Sequence, residues 1–264
     1  MSIRNLDGST VTFKQDEQNL HFDEATHTYS VEGYGVLTPV SNVISKFFKP
    51  FDATAISLRK CFGDEMAAAK LREEWASCGS LAAQTGTHLH AQIENYINNG
   101  TAPQMECRVK YDGEYVHRDE TVDISKEWRL FKAFDNETDY HPFRTEWRVF
   151  DLEAGIAGTI DLLCSCDDGT YEIFDWKRSK RIDPHEVNKY ANGINGLEHM
   201  TDTSYSHYCL QQNLYRYILE QRYGLSVSRM HLVVLHPELY RYNVVAVPRL
   251  DDEVMTIISR FQSL

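Results

Sequence analysis

The chain has 264 residues, of which 42% are hydrophobic and 25% are charged, a balance typical of a soluble globular protein. Its formal net charge of −12 argues against a uniformly basic surface that would coat DNA without specificity, although it leaves room for a local basic groove. Residues 1–20 lack the apolar core of a signal peptide, and no stretch approaches the roughly 18 apolar residues that span a bilayer. We therefore expect an intracellular, cytoplasmic protein without a membrane partner.

The first part of the chain is predicted to be a hairpin followed by helices. Residues 20–36 alternate and turn like a hairpin, and Thr38-Pro39 opens a short helix that runs to Phe48. Residues 52–98 have helical spacing, with a Gly-Thr pair at position 86 that predicts a helix start. The spacing in residues 121–138 again predicts a helix.

The period of the hydrophobic pattern then changes to two. Three successive strands are predicted at residues 143–150, 156–166 and 171–177. The Asp-Asp-Gly turn at 167–169 is a strong signal for a tight hairpin between the last two strands. The middle of the chain is therefore predicted to be antiparallel sheet.

The last part alternates between helix and strand. A long helix is predicted at residues 204–223, ended by Gly224 in the C-cap position. Strands at 229–236 and 241–247 and a terminal helix from residue 250 follow. This order of elements predicts an α/β fold, in which helices flank a mixed central β-sheet.

No linker rich in proline, glycine or serine and no internal repeat divides the chain. We therefore predict a single domain over residues 1–264. It would consist of an amino-terminal hairpin and helical region (1–85), a core (86–247) and a carboxy-terminal helix (248–264).

Charged residues occupy the end of one predicted core strand. Side chains alternate along a strand, so Asp175 and Lys177 share one face while Trp176 lies on the other. The hairpin can bring Asp161 of the preceding strand opposite Asp175. Two carboxylates at that distance repel each other unless a cation lies between them, and carboxylate and carbonyl oxygens are ligands that Mg²⁺ or Mn²⁺ prefers. A structural ion pair between Asp175 and Lys177 is the alternative interpretation.

A third element with polar residues is the predicted helix that begins at GTHLHAQIE, residues 86–94. His90 and Glu94 are four residues apart, so they share a helical face and can both point at the sheet. His88 is rotated away from that face and is interpreted as structural. His90 can therefore supply a nitrogen ligand to a metal.

Four short motifs occur in order along the chain: Gly86-xxx-His90, Ala157-Gly158-Thr159-Ile160-Asp161, Asp175-Trp176-Lys177 and Gln211-xxx-Tyr215. Together they resemble the PD-(D/E)xK nuclease superfamily. Within it they are most similar to RecB-type nucleases, to phage and viral exonucleases of that kind and to the mitochondrial genome maintenance exonuclease. The resemblance spans roughly residues 86–217, about half of the chain, and the order of the four motifs carries more weight than Asp-Trp-Lys alone.

The resemblance implies a restriction-endonuclease-like core and a bound Mg²⁺ or Mn²⁺. The implied ligands are His90, Asp161, Asp175 and the backbone carbonyl of Trp176. Lys177 would orient or activate the attacking water, and a lysine partly buried beside a metal is expected to have a lowered pKa.

The resemblance also gives roles to residues around the metal. Gln211 and Tyr215 would steady the substrate phosphate or the lysine. Glu94 would support a ligand without touching the metal, and Glu146 would serve a second metal. A run of basic residues after Lys177 is usually a solvated loop, but beside a metal site it would bind the phosphate backbone of DNA; the residues are Arg178, Lys180 and Arg181.

The sequence departs from the superfamily pattern at two points. No proline precedes Asp161. The cysteines that hold an iron–sulfur cluster in some relatives are absent, since only Cys209 lies beyond Cys166, and we predict no cluster. No CxxC pair is present for zinc, so we expect reduced intracellular thiols.

The resemblance implies a metal-dependent deoxyribonuclease, and by analogy an exonuclease that acts on single- or double-stranded DNA with a free end. Such an enzyme would act in DNA recombination, repair or replication. A structure-specific or site-specific endonuclease is an alternative, and it would be recognised by cutting of closed circular DNA. A non-catalytic DNA-binding protein of the same fold is another alternative, against which the intact His90, Asp161, Asp175 and Lys177 argue.

Overall fold

A mixed β-sheet with helices packed on both faces forms the frame of the protein. The computed structural model describes residues 3–6, 8–11, 13, 19–24, 26 and 28–264. The strands are β1 Ile3–Arg4, β2 Thr10–Val11, β3 Leu20–Asp23, β4 Thr28–Val31, β5 Gly35–Pro39, β6 Glu106–Asp112, β7 His117–Asp123, β8 His141–Asp151, β9 Ile156–Ser165, β10 Tyr171–Lys177, β11 Val227–Val234 and β12 Asn243–Ala246. The helices are α1 Val40–Ser45, α2 Ala53–Lys60, α3 Glu65–Asn99, α4 Ser125–Glu137, α5 Ser204–Ile218 and α6 Asp251–Arg260. A π-helical turn, Leu219–Tyr223, extends α5, and a 3₁₀ turn, Phe261–Ser263, follows α6.

The large sheet has the strand order β12-β11-β10-β9-β5-β4-β3, and β8 pairs with β9 outside that path. The β10–β11 and β5–β9 pairs are parallel, and the other pairs are antiparallel. This arrangement confirms the predicted α/β class and the mixed sheet flanked by helices.

One side of β9 is divided between two partners. Strand β8 pairs with β9 along its other side, from residue 156 to residue 165. On the divided side, β5 pairs with residues 156–157, and β10 pairs with residues 162–165. Within the described chain, no ladder partner covers residues 158–161 on that side. The sheet therefore opens there into a cleft between β5 and β10.

Strand β10 separates two apolar layers, as its alternating pattern predicts. Tyr171 and Ile173 pack on the side of α5 and α6, whereas Phe174 and Trp176 pack on the side of α3 and α4. The Trp176 ring lies edge-on to Phe134, with the ring centres 5.5 Å apart. Full burial of such a side chain contributes roughly 1.5–3 kcal/mol, so these layers hold the end of β10 in place.

Several predicted boundaries are confirmed to within a few residues, including those of β8, β9, β10 and α5. The predicted stop of the long helix is confirmed, because Gly224 has a left-handed φ of 70° after the π-helical turn. The predicted helix start at Gly86 is wrong, since α3 runs without interruption through this position. A single glycine costs only about 1 kcal/mol in a helix interior, and strong helix formers surround it.

The ribbon formed by β6 and β7 lies where no strand is predicted, and residues 121–123 of the predicted helix belong to it. Strand β7 is mostly exposed, so it lacks the alternating hydrophobic residues that mark a strand in a sequence. Cross-strand pairs stabilise it instead, such as Arg108 with Asp119 at 2.7 Å. Of the helices in the described residues, none is both long and apolar enough to cross a membrane.

Candidate metal centre

A cleft of about 610 Å³ lies where β5 and β10 diverge along β9. Its floor comes from the central strands, and its walls come from α3, from the β3–β4 hairpin and from α5. Most of the predicted site residues line it: His90, Glu94, Glu146, Asp161, Asp175, Lys177, Gln211 and Tyr215. The sheet and the two helix layers thus bring together residues that are more than a hundred positions apart in the sequence.

Three side chains in this cleft form a cluster suited to a divalent cation. His90 Nδ1 lies 3.4 Å from Asp161 Oδ2 and 3.6 Å from Glu146 Oε1. One ligand atom from each residue lies within 4.8 Å of the others. Ligands on one Mg²⁺ or Mn²⁺ ion at about 2.1 Å lie roughly 3–4 Å apart, so these groups fit such an ion after small side-chain movements. Carboxylate oxygens suit Mg²⁺ and Mn²⁺, whereas an imidazole nitrogen also suits other metals, so the identity of the ion stays a prediction.

The orientation of His90 follows from a hydrogen bond on the far side of its ring. The Nε2 atom donates to the backbone carbonyl of Trp176 at 2.9 Å, because a carbonyl oxygen can only accept. In a neutral ring, this leaves the lone pair on Nδ1, which faces Asp161 and Glu146. The Trp176 carbonyl, predicted to bind the metal itself, here orients the histidine.

Asp161 lies at the point where β9 and β10 separate. The last antiparallel pair is Leu162 with Phe174, so Asp161 and Asp175 are the next two residues in register, as predicted. Asp161 Oδ2 accepts a hydrogen bond of 2.8 Å from the backbone N–H of Trp176. A side chain thus replaces the missing ladder bond, and this contact holds the carboxylate at the mouth of the opening.

Glu146 reaches the cluster through an unusual backbone conformation. Its φ is +42°, a left-handed value that side-chain-bearing residues rarely adopt. The flanking pairs, Thr145 with Leu162 and Trp147 with Ile160, place Glu146 beside Asp161 across β8 and β9. The strain costs about 1–2 kcal/mol, and strain of this kind is concentrated at functional sites.

Asp175 lies outside the three-residue cluster, although sequence reasoning makes it a principal ligand. Its Oδ2 forms an ion pair with Lys177 Nζ at 2.7 Å, and its Oδ1 accepts from Gln212 Nε2 at 2.8 Å. Lys177 is thus the charge partner of the buried Oδ2 atom. A metal ligand role for Asp175 stays a prediction.

A chain of polar contacts continues from Lys177 into α5. The ammonium donates to Gln211 Oε1 at 3.3 Å, and Gln211 Nε2 donates to the Tyr215 hydroxyl at 3.0 Å. Tyr215 packs so closely on β9 that a Cβ added to Gly158 would lie 2.4 Å from its Cε1 atom. The glycine of the Ala-Gly-Thr-Ile-Asp motif therefore makes room for the tyrosine.

Gln212 is a site residue that sequence reasoning missed. It is fully buried, and its amide fixes one oxygen of Asp175. One feature of the sequence could have identified it: Gln212 lies next to Gln211 among apolar residues of a predicted helix, and an amide buried there needs a polar partner.

The pKa values reflect crowded carboxylates inside a buried site. Burial raises the pKa of Asp175 to about 6, although the positive charge of Lys177 acts to lower this pKa. Burial alone would lower the pKa of His90, but Asp161 and Glu146 raise it to about 9. Burial also raises the pKa of Asp161, and the His90 charge opposes this rise. The site thus attracts positive charge, which protons on His90 and Lys177 provide in the protein alone.

The pKa of Lys177 differs in direction from the expectation. Burial lowers it, but the charges of Asp175 and Asp161 outweigh burial and raise the pKa above its usual range. The predicted lowering assumed a cation nearby, whereas the protein groups by themselves surround the ammonium with carboxylates.

Glu94 lies one helical turn from His90 in the cleft wall, where burial raises its pKa and Arg148 partly opposes the rise. The three residues predicted to bind DNA, Arg178, Lys180 and Arg181, lie outside the cleft lining, and each has an acidic partner. Arg178 donates to the fully buried Glu127 at 2.8 Å. The other pairs are Lys180 with Glu238 and Arg181 with Asp183. Their role in DNA binding stays a prediction.

His88 has the structural contact expected of it, since its ring lies 2.8 Å from the Gln104 carbonyl. His231 forms another histidine–carboxylate pair, with Glu172 at 2.9 Å. It belongs to neither the cleft nor the candidate cluster.

No model of a known protein family matches the chain, and no curated protein matches it in sequence. A solved structure described as "Crystal structure of SSO0001" is similar over 85% of this chain and 74% of that chain, with 10% sequence identity and a TM-score of 0.34. A likeness at this level carries no argument about fold family or activity. The geometry of the cleft therefore has to support any functional conclusion.

Proposed function

We propose that this protein is a divalent-metal-dependent DNA nuclease with a restriction-endonuclease-like core of the PD-(D/E)xK type. The observation that supports this most directly is the convergence of His90, Glu146 and Asp161 beside the Asp175–Lys177 pair in one cleft. These residues come from α3, β8, β9 and β10. A structural ion pair alone would require neither the histidine nor the strained Glu146.

The candidate metal ligands are His90 Nδ1 and the carboxylates of Asp161 and Glu146. A bound Mg²⁺ or Mn²⁺ would supply an acidified water as nucleophile and would neutralise charge that develops on the phosphate. The Trp176 carbonyl and backbone N–H hold two of these ligands in orientation through bonds of 2.9 and 2.8 Å. The residues present therefore fit a metal site with preformed ligand orientation.

Lys177 acts in this proposal as a positive charge beside the reacting phosphate. Asp175 and Gln211 hold its ammonium at the cleft surface. The ammonium can orient the attacking water and stabilise negative charge in the transition state. Gln211 and Tyr215 then support the lysine from α5.

An exonuclease is proposed over an endonuclease because of the resemblance of the four motifs to exonucleases. The deciding assay uses end-labelled linear single-stranded and double-stranded DNA beside a covalently closed circle, with Mg²⁺, Mn²⁺ or EDTA. Loss of linear DNA only, and only with metal, would support the exonuclease. Cutting of the circle would indicate an endonuclease, and no cutting with either metal would refute a nuclease.

Asp161→Asn tests whether the cleft is responsible for that activity. It is expected to abolish cleavage, because the amide removes a charge from the cluster. Glu172→Gln is the matched control, since Glu172 is also a partly buried acid paired with a histidine but lies outside the cleft. Equal activity of the two variants would contradict the assignment of the site.

Metal binding can be measured without activity, by calorimetric titration of Mn²⁺. His90→Ala is expected to weaken Mn²⁺ affinity at least about tenfold, whereas His231→Ala is expected to leave it unchanged. An unaltered titration of His90→Ala would return His90 to a structural role.

A further inference from the structure

The cleft poses an electrostatic problem for an anionic substrate. Five carboxylates line it, on Glu24, Glu94, Glu146, Asp161 and Asp175. Two of the lining cations are already engaged: Lys177 with Asp175, and the His90 ring with the acidic cluster. A nucleic acid strand carries a negative charge on every phosphate, so a cation in addition to the proposed metal ion would favour its binding along this lining.

Arg148 is the lining residue that meets this need. It is exposed, and within the described residues its guanidinium has no ion pair within 4 Å and no hydrogen bond. It lies two residues after Glu146 on β8, and it pairs with Thr159 of β9. Two strand residues correspond to roughly 7 Å, which is comparable with the spacing of neighbouring phosphates on one strand.

An aromatic platform holds the guanidinium in position. Arg148 lies over the Phe22 ring of the hairpin, 5.1 Å from its centre, and Phe22 packs on Tyr29 with 4.6 Å between ring centres. The Tyr29 hydroxyl bonds to Thr159 Oγ1 at 2.9 Å and so joins the hairpin to β9. A guanidinium stacked on an aromatic ring keeps its donors directed outward, and that arrangement suits bidentate contact with a phosphate.

Across the cleft, α3 presents Glu94. The Arg148 charge lowers the pKa of Glu94 against the larger rise caused by burial, although the two side chains are not within ion-pair distance. Glu94 and Arg148 therefore line the same cleft without a direct ion pair between them.

We propose that Arg148 is a substrate-binding residue that contacts the phosphate next to the scissile one, with Phe22 as its support. This inference rests on the proposed nuclease function and specifies how the acidic cleft holds a nucleic acid strand. Arg148 provides binding and alignment, whereas the cluster and Lys177 act on the scissile phosphate.

The test compares Arg148→Ala, Arg148→Lys and Arg241→Ala. Arg241 is the matched control, because it is also exposed and lies over an aromatic ring, that of Tyr242, but is paired with Glu137 outside the cleft. Binding of a labelled oligonucleotide is measured in EDTA over a range of salt concentrations, and cleavage is measured with Mg²⁺.

Arg148→Ala is expected to weaken binding and to raise KM about tenfold, with kcat changed far less. The slope of log affinity against log salt should fall by about one, as for loss of a single phosphate contact. Arg148→Lys should recover part of the affinity, since it restores charge without the bidentate geometry. Arg241→Ala should behave as wild type.

An oligonucleotide series with one neutral methylphosphonate at successive positions locates the contact. Wild type should lose affinity at one linkage beside the cleaved bond, and Arg148→Ala should be insensitive at that linkage. If wild type cleaves DNA but Arg148→Ala matches Arg241→Ala, or keeps the methylphosphonate effect, the role of Arg148 is refuted while the nuclease stands. If wild type neither binds nor cleaves DNA, both proposals fall.

Discussion

Glu146 combines a site role with a strained backbone, and the two can be separated by substitution. Its φ of +42° places the Cβ atom too close to the neighbouring carbonyl, at a cost of about 1–2 kcal/mol. Glycine lacks that Cβ, but it loses about 0.5–1 kcal/mol more than alanine on folding, because its unfolded chain is more flexible. The difference leaves glycine more stable than alanine by about 0.5–1 kcal/mol at this position.

The comparison of Glu146→Gly with Glu146→Ala isolates this backbone term, since both variants remove the carboxylate. Thermal unfolding in EDTA is the assay, and for a protein of this size the expected difference is about 2 °C in favour of glycine. Both variants should lose Mn²⁺ affinity, so the more stable protein would still lack the site.

Thr145 provides the control on the same strand. Its φ is not in the left-handed region, and Thr145→Gly should be less stable than Thr145→Ala by about 0.5–1 kcal/mol. The order of stability should therefore reverse between adjacent residues. If Glu146→Ala is as stable as Glu146→Gly or more so, the assigned strain is refuted.

Two further substitutions test the support of the site from α5. Gly158→Ala should lower the cleavage rate at least about tenfold, because the added Cβ would lie 2.4 Å from Tyr215 Cε1 and would displace the tyrosine. A Cβ at Gly79 would meet no atom within 4 Å, so Gly79→Ala should instead raise the free energy of unfolding by about 1 kcal/mol. A normal rate for Gly158→Ala would contradict this packing argument. Gln212→Leu should lower the free energy of unfolding by about 1–3 kcal/mol, since it removes the amide bonded to the buried Asp175 carboxylate. Urea unfolding at neutral pH measures this change. An unchanged midpoint and slope would show that the hydrogen bond does not contribute to stability.

Local patterns predicted the elements that carry the site. The period of two in β9 and β10, the Asp-Asp-Gly turn and the left-handed Gly224 are visible in the sequence because each depends on neighbouring residues only. The secondary-structure prediction failed at two places: it missed the β6–β7 ribbon, and it started a helix at Gly86. Cross-strand pairing stabilises the first, and a long continuous helix tolerates the second.

The sequence by itself determined that side chains alternate between the two faces of β9 and β10, and that the hairpin between them can bring Asp161 opposite Asp175. Only the tertiary structure decided that Glu146 lies with His90 and Asp161, while Lys177 and Gln212 hold Asp175. The physical reason is that alternation and turns are local, whereas the contacts within the cleft depend on strand pairing, on one left-handed backbone angle and on helix packing between distant parts of the chain.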